Sequence, residues 1–157
     1  MGMRNRSLAI LVFSLTVCPV ADGLLVPETV YSREVVKKEP YRIGSALLGA
    51  ICMVESGCTD LVGDDGSAIG PMQIHRAYFE DAAEYDTSLG SDYQLCHDKA
   101  FSERVVIAYM ARYMKPDATD REVAMVHNAG AGIHKKKGSK AYANAERYWE
   151  KVKKFLA

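Results

Sequence analysis

The sequence predicts an α+β protein that is predominantly helical, with a small β-hairpin or loop insertion after the first long helix. Apolar residues recur at three- and four-residue steps through most of the chain after residue 41, which is helical spacing. Residues 58–74 instead are rich in glycine and aspartate and separate short apolar pieces. With 157 residues, 48% of them hydrophobic, the chain suits one domain with a sizeable core. Because 20 basic residues balance 20 acidic ones, we do not expect a nucleic-acid partner.

The N-terminus has the layout of a secretory signal. Two arginines precede an apolar run over residues 8–18, which proline and the small-residue stretch 20–23 follow. A helix of that length covers only about half of the ~30 Å hydrocarbon core of a bilayer. We therefore expect residues 1–23 to be a signal peptide that is cut after Gly23 or after Ala21. The product is expected to be secreted or periplasmic, without stable insertion in a membrane.

Residues 24–40 are expected to form an N-terminal arm or linker, because Pro27 and Pro40 bracket a stretch of mixed pattern. The remaining residues, 41–157, are expected to form the folded domain. Within it, the first helix is predicted from Tyr41 onward.

The first helix is expected to end near Glu55 or Ser56, because Gly57 supplies a C-terminal stop. The stretch 58–74 follows, and its Asp65-Gly66 turn signal predicts loops or a small hairpin. The apolar face of the helix consists of Ile43, Leu47, Ala50, Ile51 and Val54.

Helical spacing resumes after the insertion. A short element is predicted over residues 75–85, and another after Ser91, for which Gln94 completes a capping-box spacing. Residues 100–114 form a strongly apolar helical segment that Pro116 ends.

Two further helices complete the predicted domain. Thr119 and Glu122 form a capping-box pattern that opens a helix, and the pair Gly130 and Gly132 closes it. The last helix is predicted after Ser139. Its apolar stripe consists of Tyr142, Ala145, Trp149, Val152 and Leu156.

Cysteines and histidines give no sign of a metal site. The cysteines left after signal cleavage are Cys52, Cys58 and Cys96, so one internal disulfide at most is expected; Cys52 with Cys58 is the shortest closure. No CxxC or HExxH spacing occurs, and the four histidines do not cluster in a metal-ligand pattern. We therefore expect neither a zinc enzyme nor another metal site.

Glu55 is the first candidate for chemistry. It follows Leu47 and Ile51 at four-residue steps, which places it beside the apolar face at the C-terminal end of the first helix. Partial burial and the negative end of the helix dipole both disfavour its charge, so we expect a raised pKa. A carboxyl group that stays protonated near neutral pH suits general-acid catalysis. On periodicity alone, an ordinary exposed glutamate is the favoured alternative.

Asp64 and Asp65 are the candidate partners, nine and ten residues farther along the chain. A hairpin that folds back against the helix end would bring one of them opposite Glu55. Two carboxyl groups in unlike surroundings form the pair that glycoside hydrolysis uses. The alternative is that both aspartates serve only the turn before Gly66, for which Asp and Gly are favoured residues.

Six segments in order resemble the invertebrate-type, or destabilase-type, lysozymes. They cover most of residues 44–155, and two of them, GPMQI and HNAG, are also similar to lytic transglycosylases and goose-type lysozymes. The chain is therefore identified as a member of the lysozyme-like superfamily, with the lysozyme-like single-domain fold. The segments are CMVESGC (52–58), DDGSAIGPMQI (64–74), YFEDA (78–82), YMARY (109–113), HNAGAGI (127–133) and YWEKV (148–152).

The resemblance implies a muramidase that hydrolyses the β-1,4 MurNAc-GlcNAc bond of peptidoglycan without a cofactor. Glu55 matches the general acid/base and Asp64 the second carboxylate, with Asp65 as the competing alignment. The implied partner is peptidoglycan or chitooligosaccharide, and a monomer is expected. The expected glycan-binding residues are Ser67, Gln73, Tyr78, His127, Asn128 and Gly130. For four of them there is a simpler role: Ser67 in the turn, Gln73 bonding loop backbone, and His127 and Asn128 at a helix end.

The departures from the family pattern leave other functions open. Ala50 stands where a family cysteine is usual, and a second cysteine, inside the hairpin, has no counterpart beside Asp64. If no aspartate reaches the sugar, the implied chemistry is that of a lytic transglycosylase, which uses Glu55 alone and gives 1,6-anhydro products. An isopeptidase and a glycan-binding protein without catalysis are the remaining alternatives.

Overall fold

A computed structural model describes residues 39–156, which belong to one compact unit. The described part is mostly helical with a small antiparallel sheet, so the predicted fold class is confirmed. The α-helices are α1 (Ser45–Ser56), α2 (Arg76–Tyr85), α3 (Lys99–Tyr113), α4 (Asp120–Ala129) and α5 (Lys140–Val152). The strands are β1 (Val62–Gly63), β2 (Ala68–Ile69) and β3 (Ile74–His75). The predicted signal peptide and most of the predicted arm lie outside the described residues.

Helix α1 carries Glu55 on its last turn. It begins at Ser45 and not at Tyr41 as predicted, because the backbone of Gly44 is extended (φ −73°, ψ 147°). It stops at Gly57, as predicted: the residue adopts φ 65°, its N–H bonds to the Met53 carbonyl, and the N–H of Cys58 bonds to the Cys52 carbonyl. The disulfide between Cys52 and Cys58, with a Cα–Cα distance of 4.9 Å, ties the chain after the helix back to it.

The insertion is a three-stranded antiparallel sheet in the order β1-β2-β3, one strand more than the predicted hairpin. A single turn of 3₁₀-helix over Asp64–Gly66 joins the first two strands. At the next turn Gly70 has φ 77°, and a Cβ there would overlap the carbonyl of Cys96. Only glycine fits that position, where the sheet packs against the segment Tyr93–His97.

The short helical element predicted after Ser91 is present as a 3₁₀-helix over Tyr93–His97, but its N-cap is the side chain of Asp92 and not that of Ser91. Asp98 caps the next helix, α3, so too few residues separate the two caps for an α-helix. The capping box of Thr119 with Glu122, and the cap at Ser139, are both present as predicted.

The core lies between the helices, where α1 packs on α5, α4 packs on α5, and α2 packs on α3. Ala145 and Val152 of the predicted stripe on α5 are buried, but between them Tyr148 is 7% exposed, whereas the predicted Trp149 is only half-buried. This places the Tyr148 hydroxyl toward the end of α1. Among the described residues, no helix is long and apolar enough to cross a membrane.

Candidate active site

The side chain of Glu55 lies where α1, α4 and α5 meet, and it is 19% exposed. The Tyr148 hydroxyl on α5 donates a hydrogen bond of 2.5 Å to its Oε1 atom. Nε2 of His127, near the end of α4, lies 3.4 Å from that same oxygen. Two groups from distant parts of the sequence therefore converge on one carboxyl oxygen.

His127 is held from both sides. Its side chain is only 4% exposed, and its Nδ1 atom lies 3.3 Å from the Tyr78 hydroxyl on α2. A phenol O–H donates to Nδ1 when Nε2 carries the ring proton, and that tautomer presents an N–H to Glu55. The ring thus links α2 to the carboxyl group on α1.

Tyr78 itself is fixed by aromatic packing. Its ring stacks on Tyr109 of α3, with centroids 3.7 Å apart and planes 16° apart, and it meets His127 edge-on. Burial, together with the nearby Tyr109, raises the pKa of Tyr78 well above its usual range. The phenol therefore keeps its proton and remains a donor at physiological pH.

The expected raised pKa of Glu55 is not found. Burial raises it, as predicted, but the hydrogen bonds from His127 and Tyr148 and the charges of His127 and His75 lower it by more. The net pKa of Glu55 lies below its usual value, because hydrogen bonds to a carboxylate favour the charged form. The expectation failed because these partners come from other elements.

Asp64 lies in the exposed 3₁₀ turn between β1 and β2, with φ 48°. Its Oδ2 atom lies 3.1 Å from Nε2 of His75, at the end of β3. His75 is also close enough to Glu55 for its charge to lower the pKa of that group. The side chain of Asp65 has no hydrogen bond or ion pair within residues 39–156.

The sheet is tied to the end of α1 beside Glu55. Ser56, the next residue, donates from Oγ to the Pro71 carbonyl at 2.8 Å. Gln73 donates its amide N–H groups to the carbonyls of Leu61 (3.1 Å) and Gly70 (2.9 Å). These bonds hold the sheet turns against one another and against the helix end.

The remaining predicted residues occupy two places. Ser67 lies in the turn, where its Oγ donates to the carbonyl of Asp64 at 2.7 Å. Asn128 is exposed on the last turn of α4, next to His127. Gly130 ends that helix with φ 80° and bonds through its N–H to Val126. The structure thus gathers His127, Tyr78 and Glu55, and places Ser67 beside Asp64.

Two site residues, Tyr148 and His75, escaped the sequence analysis. A signal existed for Tyr148: it follows Ala145 by three residues on the buried face of α5, and a buried tyrosine hydroxyl usually has a hydrogen-bond partner. His75 had no such signal, since its pairing with Asp64 depends on how β2 and β3 align. Within the described residues, no group of three or more His, Cys, Asp or Glu side chains is placed to hold a metal ion.

Comparison with known proteins covers the same part of the chain. The sequence profile of the destabilase family matches residues 45–155. A lysozyme of Magallana gigas is 33% identical over 117 residues, which are 70% of this chain and 78% of that protein. The crystal structure of Tapes japonica lysozyme superposes with a TM-score of 0.57 at 26% identity, covering 73% of this chain and 92% of that one. The region matched by the family profile includes every site residue described above.

Proposed function

Because this chain belongs to the destabilase family and is a lysozyme-type glycosidase, we propose that it is an exported muramidase that hydrolyses the β-1,4 MurNAc-GlcNAc bond of peptidoglycan. The observation that carries this proposal is Glu55, a mostly buried carboxyl group that two other helices hold at the end of α1. The protein acts as a monomer in the secreted or periplasmic space. Chitooligosaccharide is its soluble model substrate.

Glu55 supplies the proton from its protonated form; because its pKa lies below the usual value, that form grows toward acidic pH, and we expect activity to rise there. Glu55 transfers this proton to the glycosidic oxygen as the bond from that oxygen to the sugar C1 breaks, and an oxocarbenium-like centre develops at C1. Asp64 stabilises that centre, or attacks it to form a glycosyl ester. Glu55, now a carboxylate, then takes a proton from water as the water oxygen bonds to C1, and where the ester has formed its bond from C1 to Asp64 breaks and releases the carboxylate. The enzyme returns to its starting protonation state.

The surroundings of the two carboxyl groups support these unlike roles. Glu55 is mostly buried, whereas the side chain of Asp64 is 71% exposed and faces His75 at 3.1 Å. An exposed carboxylate in a polar environment suits the role of a nucleophile or electrostatic stabiliser. His75 orients Asp64 at the turn.

The glycan lies along the surface between the sheet and the end of α4. Asn128 is exposed, next to His127 in the chain, and contacts the sugar directly. Gly130 leaves room there because it has no side chain. Ser67, Gln73 and Tyr78 flank the glycan.

The first test is clearing of purified peptidoglycan by wild type and by Glu55→Gln. We expect the variant to lose at least about 10²-fold in rate, the smaller end of the range for a general acid. Glu103→Gln is the matched control and should keep full activity, because the one ion pair of Glu103 within residues 39–156 is with Lys99 on its own helix. Lysis that survives in Glu55→Gln would overturn the proposal.

A second candidate is a lytic transglycosylase, in which a hydroxyl of the substrate closes a 1,6-anhydro ring. The observation in its favour is that the hairpin lacks the residue that the family pattern has beside Asp64, so the second carboxylate is the less secure member of the pair. Mass analysis of the released fragments separates the two reactions by one water. Reducing ends, lost in Asp64→Asn, support hydrolysis; anhydro ends, with activity kept in Asp64→Asn, support transglycosylation.

A further inference from the structure

We infer that Tyr148 and His127 are positioning residues that hold Oε1 of Glu55 as a hydrogen-bond acceptor, so that Oε2 carries the catalytic proton. This inference rests on the proposed role of Glu55 as general acid. It assigns a function to Tyr148, and it gives His127 a role through Glu55 instead of through the glycan.

Oε1 of the Glu55 carboxyl group lies beside two hydrogen-bond donors. Oε1 faces the Tyr148 hydroxyl at 2.5 Å and Nε2 of His127 at 3.4 Å. Burial and the nearby Glu55 raise the pKa of Tyr148, so its phenol stays protonated and donates. A proton on Oε1 would point at one of these donors. The protonated carboxyl group therefore places its hydrogen on Oε2.

The ring of His127 is enclosed by protein groups. Its side chain is 4% exposed and both ring nitrogens have partners, Tyr78 on one side and Glu55 on the other. Almost no surface of the ring is left for a sugar. The stacked pair Tyr78 and Tyr109 fixes the ring plane from behind, which keeps Nε2 directed at Glu55.

The two donors at Oε1 also affect proton transfer from Glu55. Hydrogen bonds to a carboxyl oxygen strengthen as that group becomes a carboxylate. In the molecules that hold the proton on Oε2, the two donors therefore stabilise Glu55 most after it has given its proton away, which favours the transition state over that protonated ground state. The titratable groups that face Glu55 are His127 from α4, Tyr148 from α5, Tyr78 from α2 and His75 from the end of β3.

The test compares steady-state rates on soluble chitooligosaccharide across pH. We compare kcat on the acidic plateau of the pH profile, where Glu55 is protonated. There we expect Tyr148→Phe to lower kcat by about 10- to 100-fold, the effect of one hydrogen bond to a charged group, with KM within about twofold. The limb of the pH profile set by Glu55 should move to higher pH, because a lost donor raises its pKa. Tyr113→Phe is the matched control: it removes another phenol, which donates to Asp81 at 2.5 Å on α2, away from Glu55.

A second pair of variants tests His127. His127→Gln keeps an amide N–H near the position of Nε2 and should retain most of kcat, whereas His127→Leu should lose it and move the same limb. Losses in Tyr148→Phe and both His127 variants without movement of the limb, or without rescue by Gln, would indicate a merely structural role and overturn the inference. An unchanged kcat and pH profile in Tyr148→Phe would overturn it too.

One measurement does not depend on turnover. The ¹³C titration of the Glu55 carboxyl group in wild type should show a low pKa that rises in Tyr148→Phe and in His127→Leu but not in Tyr113→Phe. If wild type cleaves no glycan, the proposed function fails, while this titration still supports or refutes the hydrogen-bond arrangement. If Tyr148→Phe does not fold, the two His127 variants give the same test.

Discussion

At the scale of single residues, the charge of Glu55 depends on groups that are remote in sequence. A carboxyl group at the C-terminal end of a buried helix should hold its proton, and the sequence leads to that expectation. Tyr148, 93 residues away, and His127 reverse the balance. Periodicity locates a residue on its own helix, but it contains no information about which side chains other helices bring to it.

The lowered pKa of Glu55 predicts how stability depends on pH. A carboxyl group whose pKa is lower in the folded state stabilises the fold above its unfolded pKa, about 4.3. This contribution is lost as the pH falls through the lower, folded pKa. The advantage in unfolding free energy of wild type over Glu55→Gln should therefore shrink between pH 6 and pH 3, as denaturant titrations would measure. An advantage that grows on acidification would mean that the pKa is raised.

At the scale of elements, the helix caps that depend on a few neighbouring residues were predictable from the sequence. Gly57, the capping box at Thr119, and Ser139 all act as their local patterns indicate. The pattern of Ser91 with Gln94 failed because Asp92, one residue later, is a competing cap. The third strand was missed for another reason, since a strand of two residues has too few positions to show alternation.

Gly70 gives a prediction at this scale. Gly70→Ala should lower the free energy of unfolding by more than about 2 kcal/mol, because φ 77° is strained for alanine and its Cβ would overlap the Cys96 carbonyl. Gly49→Ala is the control, because it lies inside α1 with open space at the Cβ position and should be neutral or stabilising by up to about 1 kcal/mol. Equal stabilities in urea titrations would contradict this account of the turn.

At the scale of the whole molecule, packing and one disulfide share the task of holding the site. Cys52 and Cys58 enclose Glu55, while Cys96 is a free, buried thiol among the described residues. The composition and periodicity predicted a helical domain with a small insertion. They did not predict the meeting of α1, α2, α4 and α5 at one carboxyl group, because that depends on long-range packing.

Cys96 offers a probe of the whole fold. Burial raises its pKa to about 12, and the thiolate is the reactive form, so the native thiol should resist alkylation at pH 8. Peptide mapping by mass spectrometry should find Cys96 labelled only at urea concentrations that unfold the domain. Rapid labelling of the native protein would show that the segment around Cys96 opens independently of the rest.

The disulfide gives a further prediction. Closing a loop of this length constrains the unfolded chain by roughly 2 kcal/mol, so the double variant Cys52→Ala with Cys58→Ala should lose about that much stability. Glu55 lies inside the loop that this disulfide closes. We therefore expect kcat to fall in the double variant even at a temperature where the variant is fully folded. Unchanged kcat in the folded variant would show that α1 holds Glu55 without the disulfide.

The hydrogen bond from Tyr148 to Glu55 also sets the stage of protein synthesis at which the Glu55 carboxyl group acquires this donor. Residue 55 leaves the ribosome long before residue 148, and the hydroxyl that it needs is supplied only once α5 has emerged and docked. A nascent chain stalled before that helix carries the glutamate without one of its hydrogen-bond donors. Glu55 therefore has both of its hydrogen-bond donors only after translation has passed residue 148.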